Sequence, residues 1–156
     1  MPVQGNIEDV RKGFNFAVEV DGLLAGYAQK VKIPKISQNR IEHADASGFT
    51  VQTGGRPKFD DVVITKLVPG ENSDTWAYDW FAEGFDPATG QGCPESEIKR
   101  DIRIVEFGSD RQKIVGEWLC RRCRIFEIER ADLDKNTDEN ILETITLAPM
   151  SVIQIK

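Results

Sequence analysis

The segment from Phe14 to Ile33, FNFAVEVDGLLAGYAQKVKI, alternates apolar and polar positions with a period of two. Phe14, Phe16, Val18 and Val20 fall on one face and Asn15, Ala17 and Glu19 on the other, the pattern of a strand with one buried side. Asp21-Gly22 tolerates positive φ at low cost, which predicts a tight reversal. On the return strand Tyr27, Val31 and Ile33 face one way, and Ala28, Lys30 and Lys32 the other. These two strands predict a hairpin to which the rest of the chain adds sheet.

Further strands are expected over Asp60 to Val68, with Val62 and Ile64 inward, and over Ile98 to Phe107. Lys113 to Glu129 is a longer strand whose alternation breaks near Arg121-Arg122, which predicts a bend or bulge. Ile141 to Leu147 and Val152 to Ile155 complete the set, with Gly108-Ser109-Asp110 a turn and Pro149 a break. One helix is expected over Thr75 to Glu83, with Ser73 as N-cap, Asp74 at the positive end of the dipole and Gly84 as its close. Within it Trp76, Ala77, Trp80 and Phe81 form an apolar stripe that needs a sheet to lie on.

The intervening segments carry less periodicity. Residues 1–13 predict an N-terminal arm. Pro34 to Pro57 is polar and Gly-containing, with short strands at Ile41 and Phe49-Thr50-Val51 and turn chemistry at Thr53-Gly54-Gly55-Arg56-Pro57, so residues 34–57 predict a long extended loop. Phe85 to Glu97 is a second loop, and Ala131 to Asn140 a polar connection with room for a helical turn. The expectation is one domain over residues 1–156. Its class is mainly β: an antiparallel β-barrel or sandwich of about eight strands with one flanking α-helix.

Composition narrows the functional classes. A net charge of -6 and a pI near 4.9 make the chain a poor match for wrapping nucleic acid. No apolar run approaches a bilayer span, so no stable membrane insertion is expected. MPVQGNIEDVRKG has no apolar h-region, and three cysteines is an odd count, so the expected compartment is the cytoplasm.

The chemistry-bearing residues are few. Cys120 and Cys123 have metal-knuckle spacing, and Cys93 with the single histidine, His43, would complete a Cys₃His zinc set or, without His43, a redox thiol group. Against this, a spacing of three puts Cys120 and Cys123 on opposite faces of a regular strand unless a bulge intervenes. Buried inert thiols are the alternative. Asp132-Leu133-Asp134-Lys135-Asn136-Thr137-Asp138 with Glu143 at the twelfth position resembles a calcium loop, but Thr137 stands where a Gly is needed and strands flank it. His43 beside Asp45 is a thin basis for a dyad, and Gly54-Gly55-Arg56 lacks the strand-loop-helix context of a phosphate cradle. No catalytic, cofactor or metal constellation is expected.

The motifs that remain are collinear with a known family. FNFAVEVDG followed by Gly26, Gly55-Arg56-Pro57-Lys58-Phe59, Ser73-Asp74-Thr75-Trp76-Ala77-Tyr78-Asp79-Trp80, Lys99-Arg100-Asp101-Ile102, Trp118, Asp132-Leu133 and Leu142-Glu143-Thr144-Ile145-Thr146-Leu147-Ala148 occur in the family's order. Over Phe14 to about Met150 the chain resembles the inner-tube proteins of contractile injection systems, which include contractile-phage tail tubes and Hcp-like tubes. The resemblance implies a β-barrel or sandwich with one flanking helix, six copies joined edge to edge in a ring, and rings stacked into a tube. The 34–57 segment would reach neighbouring subunits. The implied partners are sister copies, a sheath, baseplate or spike and cap proteins, with cargo or nucleic acid held in the lumen without sequence reading. It also implies assembly in the cytoplasm as part of a phage tail or tail-like particle. The edges expected to join copies are Phe14–Val20 and Ile141–Leu147. Cys120-Arg121-Arg122-Cys123 and the Asp86–Ser96 loop depart from the family pattern and leave a baseplate-proximal initiator ring as the alternative.

Overall fold

The structure, a computed structural model, describes residues 16–21, 23–24, 28–68, 76–108, 112–136 and 141–156. The 1–13 arm, Phe14, Asn15, Gly22, Gly26, Tyr27, Pro69-Gly70, the Ser73-Asp74-Thr75 cap, Ser109-Asp110 and Thr137–Asn140 lie outside the described residues.

Strand β1 (Phe16–Val20) turns back into the two-residue β2 (Leu23–Leu24), with Glu19 opposite Leu24 and Val20 opposite Leu23. Asp21 takes the left-handed φ of 52° that the reversal requires. The predicted long hairpin stops there. Strand β3 (Ala28–Lys32) leaves β1 and pairs antiparallel with β6 (Val62–Leu67), while β1 pairs along its length with β7 (Arg100–Phe107). Apolar matching accounts for the exchange: Val18 and Val20 sit directly opposite Ile104 and Ile102, all four buried.

The sheet order is β2-β1-β7-β8-β9-β6-β3, with β10 (Ser151–Gln154) also paired to β8. Strand β8 (Ile114–Arg130) is shared by two wings. Its first half lies between β7 and β10, and its second half lies beside β9 (Leu142–Ala148). The predicted break falls between them. Arg100 faces Cys123 and Ile102 faces Cys120, so one β7 residue opposes two on β8. Arg122 adopts φ 49° at this bulge. Val18, Ile104 and Cys120 from one wing meet Val62, Ile64, Ile145 and Leu147 from the other in one core. The antiparallel, sandwich-like architecture agrees with the expectation. Among the described residues no ladder joins β3 back to β1 or β2 to close a barrel.

Helix α1 (Trp76–Gly84) lies on the sheet through the predicted stripe, with Ala77 and Trp80 buried and Trp76 and Phe81 packed beside them. Arg100 ties it to β7: its guanidinium pairs with Glu83 at 2.8 Å and stacks 5.3 Å from the Trp80 ring. A second, short helix α2 (Glu95–Ile98) occupies the end of the expected Phe85–Glu97 loop. Ile98 is buried there, and its carbonyl accepts the Trp80 indole N–H. The connection after β8 makes a turn at Lys135-Asn136, with no helical turn among its described residues.

The largest correction concerns residues 34–57. They are a β-ribbon, not a loop: β4 (Ile36–Ala44) pairs antiparallel with β5 (Thr50–Phe59) as a separate two-stranded sheet. The real turn is at Asp45–Gly48, where Asp45 N–H donates to the Phe49 carbonyl at 2.7 Å and Gly48 has φ 87°. Thr53-Gly54-Gly55-Arg56-Pro57 is strand. Its glycines serve a close crossing: a Cβ on Gly55 would stand 3.0 Å from the Asn39 carbonyl, and one on Gly54 would meet the Gln38 side chain at 2.6 Å. Gln38 crosses there to donate to the Gly55 carbonyl at 2.8 Å.

Candidate assembly surfaces

The ribbon is amphipathic and uncovered. Ile41 faces Thr53 and His43 faces Val51 on one side, while Arg40, Glu42 and Ala44 face Gly54, Gln52 and Thr50 on the other. Ile41, Val51 and the tip residue Phe49 are all exposed, Phe49 at 74%. Nine to ten residues per strand give the ribbon a reach of about 30 Å. Its base is closed by the Asp60 N–H donating to the Lys35 carbonyl at 3.1 Å. At the tip, Ser47 hydroxyl and backbone donors hold the Asp45 carboxyl below its ordinary range, so the turn keeps its negative charge.

Strand edges supply a second surface. Among the described residues, strand β10 pairs only with β8, and β3 only with β6. Strand β1 lies between β7 and the two-residue β2, which covers its other edge at Glu19 and Val20. The expected edge at Ile141–Leu147 is not one: β9 lies between β8 and β6. Its alternating Glu143, Ile145 and Leu147 are buried, but burial does not tell an inner strand from an edge.

The outer face of β1, β7 and β8 carries a charge ladder. Arg103 pairs with Glu117 and, at 3.0 Å, with Glu19. Hydrogen bonding to Arg103 holds the Glu117 carboxyl below the usual range, and the two carboxylates push the Arg103 pKa up. Beneath α1, buried Lys66 and Glu143 stand 4.0 Å apart, with Arg130 3.3 Å from Glu143 and the Trp76 ring 5.9 Å from the Lys66 ammonium.

The candidate chemistry is dispersed. Cys120 and Cys123 share one side because of the bulge, fully buried, and the Cys123 thiol donates to the Cys120 carbonyl at 3.4 Å. The adjacent Cys120 sulfur, then burial, pushes the Cys123 thiol well above the ordinary thiol range. Cys93 is exposed before α2 and His43 is exposed on the ribbon, so the four do not assemble. Among the described residues no three His, Cys, Asp or Glu side chains come together as a metal cluster. Glu143 of the calcium-like run faces Lys66 and Arg130, and Asp134 accepts the Asn136 N–H at 2.9 Å. Gly54-Gly55-Arg56 lies in a strand. Among the described residues no helix is long and apolar enough to cross a membrane.

The two-winged antiparallel sheet with a clamped helix, a projecting ribbon and edges open among the described residues defines a β-rich fold. The family model for the T4-like virus tail tube protein gp19 matches residues 12–152. The chain belongs to that family and is a structural tail tube protein. No curated protein sequence matches it significantly. Among solved structures, it is similar to a chain of the PVC sheath-tube complex of an extracellular contractile injection system in the extended state, with 20% identity, 95% of this chain and 93% of that one covered, and a TM-score of 0.76. It is also similar to a chain of the PVC sheath/tube terminator in the extended state, at 20% identity, 97% and 100% coverage and a TM-score of 0.78. Hcp1 from Flavobacterium johnsoniae shares the fold at 17% identity, with 89% and 93% coverage and a TM-score of 0.54.

Proposed function

We propose that six copies of this chain close into a ring, and that rings stack into the inner tube of a contractile, phage-tail-like particle. The tube passes cargo or nucleic acid when an outer sheath contracts, with baseplate or spike and cap proteins at its ends. No catalytic step is involved, and assembly takes place in the cytoplasm. The observation that carries this reading is the ribbon, whose apolar residues Ile41, Phe49 and Val51 the rest of the chain leaves exposed. In a closed oligomer sister copies cover such a surface, and symmetry satisfies the edges of β10 and β3. Family membership supports the same reading. Sedimentation velocity tests it: a ring six-fold heavier than the 17.5 kDa chain is expected at high concentration. A species that stays at chain mass throughout would refute it.

A further inference from the structure

Two cavities open side by side where α1, α2 and the middle of β8 meet the end of β9. One, of about 320 Å³, is walled by Trp80, Phe81, Phe85, Ile98 and Ile125. The other, of about 450 Å³, is walled by Lys99, Arg122, Ala148, Pro149 and Met150. Arg124 and Phe126 belong to both, with the Arg124 guanidinium 4.8 Å from the Phe126 ring, so the two form one groove. Its floor is apolar, and Phe85, Phe126 and Met150 are more than half exposed. Among the described residues its rim carries three cations, Lys99, Arg122 and Arg124, against one carboxylate, Glu95, which pairs with Arg124 at 2.9 Å. A basic-rimmed apolar groove on an acidic chain calls for an occupant with an apolar side chain between negative charges.

This chain presents such a segment. Leu133 is 79% exposed, the most exposed large apolar side chain among the described residues, and lies between Asp132 and Asp134 in the connection after β8. The placement of the two features fits contact between copies. The start of the connection is tied to the start of β9 by the Ala131 N–H donating to the Leu142 carbonyl at 2.9 Å. The groove is lined by Ala148, Pro149 and Met150, at the other end of β9. Seven strand residues put the two ends about 20 Å apart. Complementary patches at opposite ends of one element make a head-to-tail contact that repeats from copy to copy.

We infer that the groove over Arg124 and Phe126 receives the Asp132-Leu133-Asp134 segment of a second copy, with Leu133 on the apolar floor and the two aspartates against the Lys99, Arg122 and Arg124 rim. This inference rests on the tube reading, since it names one of the contacts that join copies. It leaves the ribbon to a different surface.

Cysteine cross-linking of the assembled full-length chain tests it. In a Cys93→Ser background, which removes the exposed native thiol, Leu133→Cys with Met150→Cys is oxidised with copper-phenanthroline and run on a non-reducing gel. A ladder of dimers, trimers and higher species is expected, reversed by reductant. Phe49→Cys with Met150→Cys, the control that places the ribbon tip in the groove, is expected to give none. A ladder from the Phe49 pair instead, or none from either pair in preparations that electron microscopy shows to be tubes, overturns this contact while leaving the tube reading intact. Failure of the unmodified chain to form rings or tubes refutes the tube reading itself.

Discussion

The Asp101 carboxylate accepts the backbone N–H of Arg122 at 2.9 Å, and so pins the one left-handed residue at which β8 passes from one wing of the sheet to the other. The bond lies at the bulge where Cys120 and Cys123 enter the same core.

An L-residue at positive φ is strained, and glycine is not. Arg122→Gly is therefore expected to raise unfolding stability by about 0.5 kcal/mol. Asp101→Ala removes the anchor and is expected to lower it by about 1 kcal/mol. Urea denaturation followed by Trp fluorescence measures both. An Asp101→Ala variant as stable as the parent would show that the bulge needs no pin.

Lys66 is 2% exposed and Glu143 7% exposed. Removing Glu143 deprives the Lys66 ammonium, held in a low dielectric, of a counter-charge 4.0 Å away. Glu143→Ala is expected to cost about 3 kcal/mol, whereas Lys66→Met with Glu143→Leu together should be far milder. Paired melts of the single and double variants give the comparison. Equal losses would mean that the pair is indifferent to its partner.

The ladder on the outer face makes stability depend on pH in a definite sense. Glu117 is held below its ordinary carboxyl value of 4.5, chiefly by its hydrogen bond to Arg103. A depressed carboxyl stabilises the folded state at and above that ordinary value, and the contribution is lost as pH falls through the folded pKa. Melting temperature should therefore drop as pH is lowered from 5 to about 3, and Arg103→Met should lose less over the same interval. Parallel curves for the two proteins would remove the ladder from the acid response.

The ribbon is a separate two-stranded sheet whose base is shut by Lys35 and Asp60. Removing residues 37–58 and joining the ends with two glycines should leave the melting transition of the main sheet in place and abolish tube growth. Circular dichroism and electron microscopy on one preparation report the two effects separately. Tubes of normal length from the shortened chain would refute the role given to the ribbon.

Much of this architecture is legible in the sequence where one face is buried. The Trp76, Ala77, Trp80 and Phe81 stripe gives its own helix, and the alternation at Val62 and Ile64 gives β6, because burial imposes a period. The ribbon carries no such signal. Both of its faces are exposed in the single chain, and Gly54, Gly55 and Pro57 mimic turn chemistry within a strand, the two glycines serving a close crossing. Helix α2 is four residues long after a proline, too short to show a period. The exchange of β3 for β7 beside β1 depends on long-range apolar matching that no local pattern contains. The broken alternation near Arg121-Arg122 gives the bulge that turns Cys120 and Cys123 to one side, but an arginine gives no warning that it is the left-handed residue. The groove escapes for a similar reason: Lys99, Arg122 and Arg124 read as scattered surface charge until β8 and the helices bring them to one rim.

Electron microscopy of the purified full-length chain, at rising concentration and with the proposed sheath partner added, bears most directly on whether shape passes from one copy to the next. Stacked six-fold rings forming hollow tubes are the expected result. Isolated particles of single-chain size under every condition would contradict it.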